Sequence, residues 1–427
     1  MGERNDLVQY DHCGFSICPA DPVRIATTAV CAFLVIVLQS GVSEADEWSL
    51  TPSVQARNQY DDNIFLSVDD PVSTWGGSLS PLIDLRKRTT TGFLGIGARL
   101  IFNRYAEDEI RDTNIQLLTI SGRSNTRLSR YNLTGSYRRD TTIATVSVAP
   151  EDDDEETGQT VDAPDVDASL VETQVRRNRL SLRPSWTYSM TRLTSLSLSY
   201  SLNSTIYSDD AGTSLQDYRR HGISAAITHR LTQGDLLSVN AGAGTYKSPD
   251  RGSETDDYSL SIGLSHNYSR LLRGDVTVGV RSSTTTFNDV EDDTTGGSLS
   301  ASLVKKSTES TTYRFQAGRN LYPSGAGTLV LSDHLQARVL HQVSPLLSFS
   351  LIAHGYKNRS PDFFSGSVDR QYYDLEPGFR YSLTRLWSLD GSYRYRWQEY
   401  DNQSDSADSN AVFLAINYAW PRLAVSR

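Results

Sequence analysis

The sequence predicts an all-β protein, a transmembrane antiparallel β-barrel, from three observations. Apolar and polar residues alternate with a period of two, short turns alternate with longer acidic connections, and a single long apolar run lies near the N-terminus. Strict alternation places apolar side chains on one strand face and polar side chains on the other. Many alternating runs are about 10–14 residues long, which fits a tilted bilayer-spanning strand better than a strand of a globular sheet.

The first 45 residues are predicted to be an export signal. Arg24 precedes the apolar run Ile25–Leu38, and Ser43-Glu44-Ala45 supplies the small residues of a cleavage site. The apolar run is short for a bilayer span. A start near Val23 would explain the long leading stretch, and an uncleaved anchor is the alternative. All three cysteines lie within the first 31 residues. A disulfide framework or thiolate metal site is therefore excluded from residues 46–427, the predicted barrel.

Composition narrows the class of protein further. Charged residues make up 22% of the chain and hydrophobic residues 38%, with a formal net charge of −10. This is too apolar for a disordered chain and too polar for a helical membrane protein. The acidic balance argues against a nucleic-acid partner.

The alternation is clearest near the C-terminus. In residues 388–398 the odd positions are Leu, Gly, Tyr, Tyr and Trp, and the even positions are Ser, Asp, Ser, Arg, Arg and Gln. Similar segments along the chain indicate about 18 strands, with 16 as the alternative count. A soluble sandwich also alternates. Related short turns recur in this sequence at spacings of roughly 37–41 residues, which fits one β-hairpin with its loops, and a propeller blade has a similar period. Strand length and aromatic residues at strand ends, such as Trp186 and Tyr188, favour the barrel.

The connections predict the orientation in the membrane. Short turns on one side and long polar loops on the other are typical of outer-membrane barrels, so both termini are expected in the periplasm. The longest insertion, Ala149–Glu172, has ten acids and no bases. We expect a solvated extracellular loop, or alternatively a divalent-cation site near anionic lipopolysaccharide. Its spacing matches no defined metal site. The last strand is expected to end at Trp420, leaving residues 421–427 as a periplasmic tail because Pro421 cannot continue the ladder.

Arginines concentrate on the polar face of the predicted strands. Guanidinium groups bind carboxylate, sulfate or phosphate through paired hydrogen bonds, and in a pore they favour anions. The alternative is that they pair with inner-wall acids and only stiffen the wall. The candidate lumen-lining residues are Arg99, Arg179, Arg183, Arg281, Arg314, Arg338, Arg380, Arg394 and Arg396.

Signals for an enzyme are weak. Six histidines follow the predicted signal, but none lies in an HExxH pattern, and GxSxG, P-loop and CxxC motifs are missing from the sequence. His266 and His354 could belong to a barrel hydrolase, but single strand histidines are usually structural. No catalytic residue, cofactor or metal is predicted.

The start of the predicted barrel resembles a known family. Trp48-Ser-Leu50-Thr-Pro52-Ser opens a strand, and Tyr60-Asp61-Asp62-Asn63-Ile64 closes it. This pattern is similar to β-barrel porins found beside exopolysaccharide biosynthesis and export systems, with Asp62, Asn63 and Ile64 matching the family motif. The resemblance implies an outer-membrane barrel that assists passage of a secreted polysaccharide. An Asp-Asn pair readily makes a side-chain-capped turn, so the motif is expected to act locally.

These observations give one main hypothesis and three alternatives. The main hypothesis is a hydrated pore in the outer membrane of a Gram-negative bacterium, with membrane lipid and lipopolysaccharide around it and polysaccharide and export machinery as partners. The alternatives are a general diffusion porin for small solutes, a non-conducting structural or adhesive barrel, and a barrel hydrolase.

Overall fold

The structure is a computed structural model. It describes residues 46–143, 174–208, 215–288, 290–308, 310–360, 369–401 and 405–426. The predicted signal at 1–45 and the predicted acidic loop at 149–172 lie outside the described residues. Among the residues described, no helix is long and apolar enough to cross a membrane.

The described chain is almost entirely antiparallel strand. A 3₁₀ turn at Pro249–Arg251 is the one helical element among the described residues. The strands are β1 (Glu47–Asp61), β2 (Thr74–Arg88), β3 (Gly92–Tyr105), β4 (Thr113–Asn125), β5 (Ser129–Thr141), β6 (Arg176–Ser189), β7 (Thr194–Ser208), β8 (Tyr218–Arg230), β9 (Asp235–Ser248), β10 (Ser253–Ser269), β11 (Leu272–Phe287), β12 (Val290–Thr308), β13 (Thr311–Ser324), β14 (Thr328–Gln342), β15 (Leu347–Arg359), β16 (Arg370–Ser382), β17 (Trp387–Tyr400), β18 (Ser406–Ala419) and β19 (Leu423–Ser426).

The first and last long strands close the barrel. Each strand from β1 to β18 pairs with its neighbour in chain order, and β1 also pairs with β18 from Ser53↔Ala419 to Asp61↔Ala411. Closure satisfies the backbone groups that an open sheet would leave unpaired in lipid. The fold is a closed barrel of 18 antiparallel strands, so the predicted class and strand count are confirmed.

The C-terminal segment differs from the predicted tail. Strand β18 ends at Ala419, and the amide of Trp420 donates to the Pro52 carbonyl at 3.0 Å. After Pro421 the chain returns to the wall as β19, which pairs with residues 47–50 of β1. Proline breaks the ladder for a few residues because it lacks a donor, but the first strand extends far enough to pair with the chain again.

Alternation sorts the side chains into an outer apolar face and an inner polar face. On β18, Val412 and Leu414 are about half exposed, whereas Ala411 and Phe413 are buried. In a closed barrel the covered face is the inner one, so the exposed apolar side chains face outward toward lipid. Paired aromatic rings on the outer face lie near both ends of the strands, including Tyr60–Trp75 and Trp387–Tyr418.

The two ends of the barrel differ in their connections. Short turns such as 270–271 and 190–193 occupy the end where β1 begins, and longer connections such as 62–73 and 106–112 occupy the other. Outer-membrane barrels place short turns in the periplasm. At the end with the longer connections, β12 begins at Val290 and forms a tall hairpin with β11.

Candidate functional site

The inner wall carries the arginines that the sequence singled out. By strand alternation and register, each of the nine lies on the face opposite the exposed apolar side chains. Arg314 and Arg338 are directly opposite each other on β13 and β14. Arg380 is bound by Asp390 on β17, with distances of 2.9 and 3.2 Å from Nε and Nη2 to the two carboxylate oxygens. The charge of Arg380 is therefore neutralised by a carboxylate of the neighbouring strand.

Three other guanidinium groups of the wall contact the same carboxylate. Asp140 of β5 lies 2.8 Å from Arg138, 3.0 Å from Arg177 and 2.5 Å from Arg179. One buried carboxylate therefore has three cations around it, which favours its charged form. On the inner faces of the described strands, basic side chains outnumber acidic ones.

A second basic cluster lies where the barrel closes. Arg57 of β1 and Arg394 of β17 lie over the ring of Phe413, with Cζ-to-centroid distances of 4.0 and 4.9 Å. Ala411 and Ala415 flank Phe413 on the inner face of β18. These small residues leave room for the long arginine side chains to lie flat, and cation–π contact stabilises that arrangement.

The first loop, residues 62–73, folds inward from the top of β1. Asp61 accepts a hydrogen bond from the Asn63 amide at 3.1 Å, and Asn63 Oδ1 accepts one from the Ser67 amide at 3.0 Å. Asn63 Nδ2 also donates to the Ser67 carbonyl at 2.8 Å. Leu66 is fully buried with a positive φ of 57°, a strained conformation that its surroundings must hold. The motif therefore makes a capped turn.

The same motif also ties the loop to the opposite end of the chain. Arg396 of β17 is fully buried, and its Nη2 donates to Asp61 at 2.9 Å and to the Asn63 carbonyl at 3.1 Å. Asp62 accepts hydrogen bonds from the backbone and side-chain amides of Asn410 at 2.6 and 2.9 Å. Gln398 donates to the Leu66 carbonyl at 2.7 Å. The motif and Arg396, both selected from sequence, thus form one network that fastens the first loop.

Apolar residues seal this loop against its neighbours. Ile64 packs with Ile110 of the next long connection and with Ile143 at the start of the third. Arg111 and Gln174 join those two connections through hydrogen bonds of 2.9 and 3.0 Å between side-chain amide and backbone groups. The loops on this side narrow the mouth of the barrel.

A second segment, the inner hairpin at residues 320–330, leaves the wall. Strand β13 pairs with β12 only as far as Arg319, opposite Leu299. Strand β14 pairs with β15 only from Leu331, opposite Arg359. Between these points the two strands pair only with each other.

The tip of the inner hairpin contacts the wall formed by β7 to β10. Tyr246 Oη donates to the Ser324 carbonyl at 2.9 Å, and the Gln216 amide donates to Gly325 at 2.6 Å. Leu329 is buried with Tyr207, Tyr218 and other residues of that wall. The hairpin therefore lies inside the lumen and is packed against one side of it.

Glycines allow the tip to approach this closely. A Cβ on Gly325 would lie 2.4 Å from the Tyr207 hydroxyl oxygen, and one on Gly327 would lie 2.2 Å from Arg251 Cδ. Gly327 also has a φ of +80°, which side-chain-bearing residues rarely adopt. Arg251 Nη1 in turn donates to the Ala326 carbonyl.

The inner hairpin faces three arginines of the wall. Arg281 of β11 donates from Nη2 to Asn320 Oδ1 at 2.6 Å. Arg220 of β8 donates to Asp257 at 2.7 Å and to the Leu321 carbonyl at 3.3 Å. Arg183 of β6 is exposed on the inner face, within electrostatic range of the Tyr322 hydroxyl. The narrowed part of the lumen is thus lined by cations.

Two of the histidines each contact one aspartate. His354 faces the lumen, with Nδ1 3.0 and 3.1 Å from the Asp374 carboxylate oxygens, and His266 faces outward beside Asp235. Within the described ranges, no group of three His, Cys, Asp or Glu side chains is placed to hold a metal ion.

The family model described as "Putative beta-barrel porin 2" matches residues 43–419. The chain belongs to this family. It is an outer-membrane β-barrel porin of a bacterium, and family membership indicates a channel rather than an enzyme. The match spans every long strand, from β1 to β18.

Solved porins of Pseudomonas aeruginosa are similar to this chain at low sequence identity. OpdO is 14% identical over 88% of this chain and 97% of its own, and OccK2 (OpdF), solved with glucuronate, is 13% identical over 87% and 97%. The outer membrane protein opdK is 10% identical over 87% and 99%. All three have a TM-score of 0.45, so these likenesses carry no conclusion about the solute of this chain. No curated protein matches the chain.

Several residues of the site were not predicted. Arg57 alternates with outward-facing residues of β1, so the period-two pattern could have selected it. Arg370 is fully buried against Tyr356 and Tyr372, but it begins β16 directly after a loop, where no pattern marks its face. The departure of residues 320–330 from the wall has no local signal, because alternation continues through Asn320–Tyr322.

Proposed function

We propose that this porin is a diffusion channel for small polar solutes and that it favours anions. The observation that carries the proposal is the inner wall, where basic side chains outnumber acidic ones on the described strands and three arginines contact the same carboxylate, that of Asp140. A pore lined by fixed positive charge concentrates anions and excludes cations.

The inward-folded segments favour small solutes over a polymer. The first loop and the inner hairpin both narrow the lumen, and each is fastened by buried hydrogen bonds. Passage of an exopolysaccharide would require these segments to move away, whereas small solutes can pass beside them. The small-solute channel therefore takes precedence over the exopolysaccharide conduit that the family resemblance suggested.

The test is the reversal potential of the refolded protein in a planar bilayer under a potassium chloride gradient. We expect a potential of the sign given by chloride preference, and R338E should move it toward potassium. K305E is the matched control, because Lys305 is exposed on the outer face and the charge change is identical. A cation-selective wild type, or equal shifts in both variants, would contradict the proposal.

A polymer experiment separates the two solute classes. Anionic polysaccharide added to the conducting channel should leave the current unchanged or block it from one side without crossing. Recovery of the polymer in the opposite chamber would support the exopolysaccharide conduit instead.

A further inference from the structure

We infer that the inner hairpin and the facing wall form a binding site for the carboxylate group of a small organic acid. The inference rests on the proposed channel function, and it names the solute class and the place where that solute pauses. The site consists of Arg183, Arg281, Asn320 and Tyr322, with Arg220 and Asp257 behind them.

The charges of the site are unbalanced. Asp257 accepts a hydrogen bond from Arg220 at 2.7 Å, so this carboxylate is already engaged. Arg281 uses Nη2 to bind Asn320, but its buried Nε has no hydrogen-bond acceptor among the described residues. A buried donor that lacks an acceptor is costly, and an anion would remove that cost.

Arg183 supplies the accessible part of the site. It is exposed on the inner wall, and no hydrogen bond or ion pair is found between its guanidinium group and any other of the described residues. An arginine that is not held by a protein carboxylate can offer its planar fork to a ligand, and the fork matches the two oxygens of a carboxylate.

The hairpin supplies the remaining contacts. Tyr322 stands beside His334 with ring centroids 6.1 Å apart in an edge arrangement, which gives the site an aromatic side. The phenol hydroxyl can donate to a carboxylate oxygen, and the adjacent ring can contact the carbon skeleton. A chloride ion would use only the charges, whereas a carboxylate would use both the fork and the hydroxyl. This difference selects a carboxylate as the ligand.

The test uses sodium acetate as the probe and neutral acetamide as its near-isosteric control. Chloride conductance of the wild type, measured at constant ionic strength, should fall to a plateau as acetate is added and should not respond to acetamide. R183Q and Y322F should each raise the half-blocking acetate concentration, R183Q by about tenfold, which is the scale of one charge-assisted hydrogen-bond pair. R230Q removes the same charge from the periplasmic end of the inner wall. It should change the half-blocking acetate concentration by less than about twofold.

The outcomes separate this inference from the channel proposal. Block without a plateau, or equal shifts in R183Q and R230Q, would overturn the site while the anion-favouring channel stands. If the folded wild type does not conduct, the channel proposal fails, and binding is then read from broadening of the acetate methyl resonance on the refolded protein. Broadening that R183Q abolishes and R230Q retains would support the site, and none in wild type would overturn it. Heat-modifiable migration on gels checks that each variant is folded.

Discussion

At the scale of single residues, Asp61 and Arg396 form one of the two most deeply buried ion pairs found among the described residues. Both side chains are about 98% buried, and Arg396 has nitrogen atoms that gain no other partner among the described residues. A buried ion pair adds little net stability over an apolar pair, but removing one partner leaves an uncompensated charge. The pair therefore holds the first loop in one conformation, because moving Asp61 away would leave the buried guanidinium group without its carboxylate.

Asp61→Asn tests this pair. We expect the free energy of unfolding to fall by about 3 kcal/mol, because Arg396 would keep its charge without its carboxylate. Denaturant unfolding of the refolded protein measures the change.

Asp333→Asn is the matched control, since Asp333 binds Arg319 and Arg359 on the outer face with 30% of its side chain exposed. Its loss should cost below about 1 kcal/mol per exposed pair. Equal effects of the two substitutions would show that burial does not set the importance of Asp61.

The sequence alone predicted which strand face a side chain lies on, but it did not predict which residue that side chain contacts. Alternation placed Arg394 and Arg396 on the same strand face, since period two follows from strand geometry alone. The carboxylate that Arg396 contacts is separated from it by 335 positions along the chain. Only barrel closure brings β1 beside β18 and β17, so no local pattern could identify the pair. The capped turn of the motif could be predicted, because it is formed by residues that are close together in the sequence.

At the scale of elements, the inner hairpin shows how a strand pair can leave a barrel wall. Its backbone groups stay satisfied because β13 and β14 continue to pair with each other, and its tip gains partners on β8 and β9. Strand propensity and alternation are the same inside and outside the wall. The sequence therefore predicts the strands but not where they diverge from their neighbours, which depends on the contacts of the glycine-containing tip.

Gly327→Ala tests how closely the tip of this hairpin packs against Arg251. The added methyl would lie 2.2 Å from Arg251 Cδ, and the φ of +80° is unfavourable for alanine. We expect a loss of about 1–2 kcal/mol in the free energy of unfolding or detachment of the tip. Detachment would appear as a larger or noisier single-channel conductance.

The control is Gly296→Ala on β12, where nothing lies within 4 Å of the added atom. It should leave stability and conductance near wild type. If G327A keeps the wild-type free energy of unfolding and single-channel conductance, the tip accommodates the methyl group without loss of stability and does not restrict the current.

At the scale of the whole molecule, the sequence predicted the architecture well because the membrane imposes it. Lipid requires an apolar outer face, a closed ladder and strands of spanning length, and the period-two pattern shows the apolar face and the strand length directly. The interior is under no such constraint. Arg57, Asp140 and the inner hairpin are set by tertiary contacts, so the lumen could be predicted only as polar and arginine-rich.

Membrane orientation gives the last prediction. The end with short turns and both terminal strands is assigned to the periplasm, and the tall β11–β12 hairpin therefore stands at the cell surface. Because residues 46–427 contain no cysteine, a single introduced cysteine reports its own location. Glu291→Cys on that hairpin should react with a membrane-impermeant maleimide on intact cells. Arg192→Cys in the turn between β6 and β7 should react only after the outer membrane is permeabilised, and the reverse pattern would invert the barrel.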